Sequence, residues 1–426
     1  MRLLPLLLLT ALPLAGQITF VTEDIDRFWT AYDSIRSTPD TAQQSAYLER
    51  LYLAPGTTGL RELREVRSYR AEEYLAAIRD YPAFWESIRR STRNTATLRQ
   101  QVDRQVDSLG ALYPDLRPAT AYLSMGVFRT GGTLLGNHIL IGSEMMLPDS
   151  TAATDGLPQA RQHYFATYPV RDYFPFLCIH EYVHALQKEM VHNLLSYCIY
   201  EGIAEFMAVL ATGEESYAPA VAYAAEHPTQ VRDRFEQEMY MPSKTYDWLW
   251  GDTAVYGHRD MGYAVGYQLA QGYYGQAADK AAAIRIMIEL DLTDETAVTD
   301  YVDRSGYFTQ PLDTLFERYQ RSRPYIVRTS GVEPDSRDVA PGTQTMTFHF
   351  SEPLNGYNTG VDFGPDGPEA FPTMSTERVW SADNTEWTIT MQLEPNRHYQ
   401  FLVSGNFRLE SGVHLRPRLI EFWTGE

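Results

Sequence analysis

Apolar positions recur at helical spacing through the N-terminal part of the chain. Ile25, Phe28, Trp29 and Tyr32 form one stripe, Tyr47, Leu48 and Leu51 a second, Tyr74, Leu75 and Ile78 a third, and Leu98, Val102, Val106 and Leu109 a fourth. Turn signals at Ala54-Pro55-Gly56 and Tyr81-Pro82 divide them, so residues 22–112 are expected to be mostly helices wrapped around a core further on. Around Ala119 the period changes. Thr120 to Phe128, Gly131 to Leu135 and His138 to Ile141 read as short strands joined by glycine-rich turns. A strongly apolar helix is then expected from Pro175, which suits a first helical turn, on towards His192, and a second from Ile199 to Leu210. Residues 214–250 mix helix and loop. In residues 256–275 the small Gly262, Ala264, Gly266 and Ala270 alternate with Tyr263, Val265, Tyr267 and Leu269, which predicts a helix packed tightly against another. Helices follow at Ala281–Leu290 and Leu312–Tyr319.

The pattern shifts again at Arg323-Pro324. Met346, Phe348 and Phe350, then Trp387, Ile389, Met391 and Leu393, then Tyr399, Phe401 and Val403 alternate with polar residues, separated by turns such as Pro341-Gly342 and Glu394-Pro395-Asn396. That predicts an all-β sandwich. The expected fold class is therefore α+β: a mostly helical domain with a small mixed sheet over 17–323 (helical part 22–112, core 119–323), followed by a β-sandwich over 324–426. A chain of 426 residues is long enough for two such cores.

Residues 1 to 16, MRLLPLLLLTALPLAG, do not belong to either domain. One early arginine, a leucine-rich run and small residues at the end make a secretory signal peptide, and Gln17 stands where a lipoprotein would need cysteine. The expected location is outside the cytoplasm: periplasm, cell surface or medium. No other uninterrupted apolar run approaches the length of a membrane span. The 36 basic and 55 acidic residues give a net charge of -19, which argues against nucleic acid and anionic membranes as partners.

The chemistry is concentrated between Phe176 and Phe206. His180 and His184 are four apart, so on a helix their imidazoles lie within roughly 40° of each other and can hold one ion. Glu181 can then sit beside the ion's open position and take a proton from water there: the HExxH arrangement. Three fixed residues recur by chance in long chains, but here they lie on an apolar helix where polar groups without a partner would be costly. A tetrahedral zinc needs one more protein ligand. Gln187 and Met190 occupy the places where a metzincin continues its motif, and His192 is too far along the axis. Glu201, opening YEGIAEF, remains as the third ligand, with Glu205 one turn later orienting an imidazole. Cys178 and Cys198 lie in the same region. Helical angles favour two buried thiols over a disulfide between them.

HEYVHALQ followed after sixteen residues by EGIAEF resembles the gluzincin metallopeptidases, the group of thermolysin and aminopeptidase N, and more narrowly an uncharacterised bacterial family of zinc-dependent proteases. The resemblance implies a zincin-like catalytic domain, zinc on His180, His184 and Glu201, Glu181 as general base, and a peptide or protein substrate. It also implies a sheet edge above the metal along which an extended peptide adds as a further strand. Gly131, Gly132 and Thr133 are the candidates, and a plain hairpin turn is the equal alternative. Tyr263, three before Gly266, is similar to the tyrosine of the YxKG segment in aminopeptidase N relatives and would donate to the oxyanion, although Val265 replaces the lysine. Tyr256 and His258 are the alternatives, as is a purely structural role for Tyr263. FHFSEPL and LEPNRHYQFLVSG resemble bacterial Ig-like domains, which bind, space or stabilise.

The sequence thus points to a secreted zinc peptidase. The rival reading is a non-catalytic surface or binding protein that keeps a peptidase-like zinc core.

Overall fold

Burial follows the helical stripes from the start. In the computed structural model, which describes residues 18–251 and 255–426, helix Glu23–Arg36 buries Ile25, Phe28, Trp29 and Tyr32. Their rings pack edge-on or tilted against Tyr52 and Trp85, with centroids 5.0–5.3 Å apart around Phe28. Asp24 on the same helix is 1% exposed, a burial that would be prohibitive without partners. Arg27 Nη1 donates to it from 2.9 Å, Thr57 N from 3.1 Å and Ser124 Oγ from 3.0 Å, which ties the helical layer to the sheet behind it. Residues 1–16, expected from the sequence to be a signal peptide, lie outside the described residues.

That sheet has four strands: β1 (Ile18–Val21), β2 (Ala119–Ser124), β3 (Gly132–Leu135) and β4 (His138–Gly142), in the order β1-β2-β4-β3. β1, too short to show a period in the sequence, runs parallel to β2; β2 and β4 are parallel, β3 and β4 antiparallel. The strand expected to run to Phe128 stops at Ser124. Beyond it the chain curls to aim Gly126 N and Phe128 N at the two oxygens of Glu144, at 2.7 and 2.9 Å, with Phe128 at a φ of 63°. Burial raises the Glu144 pKa to about 6 even so.

Three helices complete the frame around the site. The first, Val170–Leu186, starts five residues earlier than expected, so Pro175 lies inside it rather than in its first turn. It also ends sooner. Gln187 turns out into extended backbone, and His192 is not on this helix; its Nδ1 faces the Tyr197 hydroxyl at 2.8 Å. The second helix, Leu194–Thr212, is long and apolar enough to cross a membrane, but 72% of its most apolar window is buried in the protein. The third, Met261–Gln276, crosses the second at glycine: a Cβ on Gly202 would lie 2.0 Å from Gly266 C, and one on Gly266 1.6 Å from Cys198 O. Such an approach excludes any side chain at either position. Cys178 and Cys198 are both free and buried.

A second compact unit comprises residues 193–195, 229–248 and 308–426. Its strands form two antiparallel sheets. β5 (Ile326–Gly331), β6 (Gly342–Phe350), β9 (Glu386–Leu393) and β8 (Thr373–Trp380) lie side by side in the order β5-β6-β9-β8. β7 (Val361–Phe363), β10 (His398–Val403) and β11 (Arg418–Trp423) form the other, in the order β11-β10-β7. The alternating residues read from the sequence, Met346, Phe348, Phe350, Trp387, Ile389, Met391, Leu393, Tyr399, Phe401 and Val403, share one core. The chain as a whole is α+β.

Candidate metal centre

The first and second helices bring three lone-pair atoms to one point. His180 Nε2 and His184 Nε2 are 3.1 Å apart, and Glu201 Oε2 lies 3.3 Å from the first and 3.1 Å from the second. The outer nitrogens are both engaged. His180 Nδ1 meets Glu205 Oε2 at 2.9 Å, and the other Glu205 oxygen accepts from Ser216 Oγ. His184 Nδ1 meets Gln187 Oε1 at 2.6 Å, while Gln187 Nε2 donates to Tyr200 O at 3.0 Å. Gln187 therefore presents its acceptor, and Nδ1 must carry the hydrogen. With both Nδ1 atoms protonated, a neutral imidazole has only a lone pair at Nε2. Two such nitrogens and a carboxylate oxygen this close repel unless a cation lies between them.

Size decides which cations fit. Ligands about 2.0–2.1 Å from a tetrahedral zinc stand about 3.3–3.4 Å from each other, the observed spacing within a few tenths of an ångström. The donor set of two imidazoles and one carboxylate is also one that zinc accepts. Without a metal a proton takes the place. Burial works against charge on His180, but its hydrogen bonds to Glu201 and Glu205 outweigh that and raise its pKa to about 10. Burial would likewise raise Glu201, yet the charge on His184 and hydrogen bonds from both imidazoles hold it well below the usual carboxylate range. Proton and divalent cation compete for one position.

Glu205 is 3% exposed and serves this centre only through His180. Glu205→Gln should therefore weaken metal affinity about 10- to 100-fold, measured by competition with a chromophoric chelator; unchanged affinity would mean that Glu205 has no part in orienting the ring.

Beside the centre opens a cleft of about 330 Å³. Glu181 and Tyr263 line it, as do Gly131 and Gly132. Glu181 is 7% exposed, and no described residue donates a hydrogen bond to its carboxylate. Burial pushes its pKa up, and the charges of His184 and His180 offset this only in part. β3 forms the sheet edge at this wall. A Cβ on Gly132 would lie 2.9 Å from Glu181 Oε1 and 3.1 Å from Leu177 Cδ2, so only glycine lets the strand come this close to the carboxylate. Thr133, paired with Leu140 as Gly132 is with Ile141, does not line the cleft.

Tyr263 lies parallel to His180, 15° between planes and 6.0 Å between centroids, with its hydroxyl within reach of Glu201. Burial first, and then the charge on Glu201, push its pKa far up, so it remains a donor. Tyr256 and His258 instead pack on Tyr223, outside the cleft lining. Sequence reasoning missed Gln187, although it stands one helical turn after His184, and Tyr200, which stacks on His184 at 4.3 Å. A second acid and histidine group, Asp366, His398 and Glu421, has its imidazole spanned between the two carboxylates, at 3.5 and 2.8 Å. Both of its nitrogens face acceptors, which suits a donor more than a ligand.

Residues 171–289 match the model of a family described as "Predicted Zn-dependent protease (DUF2268)", a stretch that contains His180, His184 and Glu201, the group that could hold a metal, together with Glu181, Glu205 and Tyr263. No curated protein matches the chain. Two solved structures of a surface-layer protein, "SbsC, domains 1-6" and "rSbsC(31-844)", are each 11% identical to it with a TM-score of 0.18. They cover 66% and 95% of this chain, which spans 44% and 45% of theirs, less than half their length. A TM-score that low carries no argument about fold or function.

Proposed function

We propose that this chain is an exported zinc peptidase of the gluzincin type, with HExxH and a glutamate from a second helix as its metal-binding set. One observation carries the reading: three lone-pair atoms 3.1–3.3 Å apart, with the outer nitrogen of each imidazole already engaged. When bound, zinc supplies Lewis acidity that polarises the scissile carbonyl and makes water a better nucleophile.

The chain's own residues do the rest. An extended peptide pairs with the free edge of β3 at Gly131 and Gly132, which sets its carbonyl facing Glu181. Glu181 has no competing donor and a raised pKa, so it takes the proton of the attacking water and hands it to the leaving amine. The Tyr263 hydroxyl donates to the carbonyl oxygen as charge develops there. The β5–β11 unit is read as an Ig-like module that spaces or binds, with no catalytic set of its own.

The test combines metal analysis with an unbiased peptide-library digest of the full chain. Zinc near one equivalent and cleavage of internal or terminal peptide bonds are expected; bound zinc without any cleavage favours the non-catalytic binding protein. Removing the metal should also unfold the site's restraint. With free zinc held a thousandfold above its Kd, binding stabilises the chain by about 4 kcal/mol, so a chelator should lower the melting temperature and zinc should restore it. An unchanged melting curve would deny that a metal holds the two helices together.

A further inference from the structure

We propose that Arg67 and Arg161 form a carboxylate-recognition subsite in the cleft, which makes acidic peptides its substrate class. This rests on the peptidase reading for the cleft's use, though not for its ability to bind.

The chain carries a net charge of -19, yet four arginines line this one cleft: Arg67, Arg129, Arg161 and Arg259. Two of them are committed. Arg129 Nη1 donates to Arg67 O and Ser68 O at 2.9 and 3.0 Å, its Nη2 pairs with Glu73, and its plane lies over Tyr69. Arg259 Nε pairs with Asp260 Oδ2 at 3.0 Å.

Arg67 and Arg161 are different. Both are half-buried, and among the described residues neither has a carboxylate within ion-pair distance. Arg67 Nη2 reaches Thr130 Oγ1 at 3.1 Å, but its Nε is buried without a partner. A guanidinium has five donors in a planar fork that fits a carboxylate, and withdrawing it from water with donors unmet is costly. The acidic groups of the cleft lining leave those donors unmet: Glu205 serves His180, Asp260 serves Arg259, and Glu181, although it feels the charge of Arg67 as well as those of His184 and His180, is within hydrogen-bond or ion-pair distance of neither arginine.

Both arginines line the cleft together with the strand edge. Thr130 Oγ1, which accepts from Arg67, donates to Gly132 O at 2.6 Å, and Gly132 abuts Glu181. Arg161 lies on helix Gln159–Thr167, whose Tyr164 hydroxyl is 3.7 Å from the Cβ position of Gly131. A peptide paired with β3 would therefore run past two guanidinium groups that form no ion pair among the described residues. The acidic surface elsewhere repels anions, so these two arginines also set where an acidic chain is captured.

Matched peptides test this: one with glutamate near the scissile bond, its glutamine counterpart, and each with a free or an amidated C-terminus. Wild-type protein loaded with zinc is expected to cleave the glutamate peptides with kcat/KM about 10- to 100-fold above the glutamine ones, and Arg67→Gln and Arg161→Gln should each bring that ratio towards one. A preference that follows the free C-terminus instead assigns the subsite to the terminal carboxylate. Equal cleavage of all four peptides overturns the proposal and leaves the peptidase reading intact. If nothing is cleaved the peptidase reading fails, and calorimetry on Glu181→Gln protein then decides: tighter binding of the acidic peptide, lost on adding Arg161→Gln, supports the subsite, and equal or absent binding of all four rejects it.

Discussion

Glu181→Gln should reduce peptide hydrolysis about 10²- to 10⁴-fold while metal content stays at the wild-type level. The two quantities separate because the two jobs belong to different atoms. The metal-facing atoms are His180 Nε2, His184 Nε2 and Glu201 Oε2, and none of them is hydrogen-bonded to Glu181. Glutamine has the same shape, so it fits a position that is 7% exposed and close against Gly132. It forfeits no hydrogen bond from a described residue, so neither stability nor zinc affinity should fall. What it does lose is the ability to accept a proton, which an amide oxygen cannot replace. Burial already holds the glutamate pKa above its usual value, nearer to where a base works at neutral pH. Wild-type turnover by Glu181→Gln protein with one zinc bound would dismiss Glu181 as the base. Loss of the metal in that variant would instead show that the carboxylate helps to hold the ion.

How much of this could be read from the sequence depended on the range of each interaction. His180 and His184 were legible because their pairing is local to one helix, and Glu205 because it repeats the spacing of Glu201 on the next. The alternating β5–β11 residues were legible for the same reason: a period of two needs only a few residues to show. What remained hidden was long-range. Nothing local marks Arg67 as a neighbour of Thr130, or Tyr200 as a plate beneath His184. The end of β2 at Ser124 was missed since it is set by Glu144, a buried acid that draws two backbone N–H groups out of the sheet. The helix limits at Val170 and Leu186 were missed because Pro175 was given more weight as a start than a buried helix grants it, and because no glycine or proline between Leu186 and His192 marks the stop.

The small residues of Gly262–Ala270 did announce a tight helix contact, and that contact controls the site. Gly266→Ala is expected to destabilise the protein by at least about 3 kcal/mol and to remove most of its zinc, because the added methyl would meet Cys198 O at 1.6 Å and Gly202 Cα at 2.9 Å. Both obstacles are backbone, so no rotamer change relieves them. The third helix would have to move away from the second by about 2 Å to restore ordinary contact. Glu201 is adjacent to Gly202, and Tyr263 is one turn before Gly266, so that displacement acts on the proposed ligand and the proposed oxyanion donor at once. A metal site tolerates only about 0.2 Å in its bond lengths. Gly275→Ala on the same helix provides the comparison, since its Cβ would meet nothing within 4 Å and alanine favours helix over glycine. Thermal melts and metal content of the two variants should therefore diverge, with Gly275→Ala at or above wild type. Were Gly266→Ala to melt with the wild type and keep its zinc, the two helices would not meet backbone to backbone, and Glu201 would owe its position to something other than this crossing.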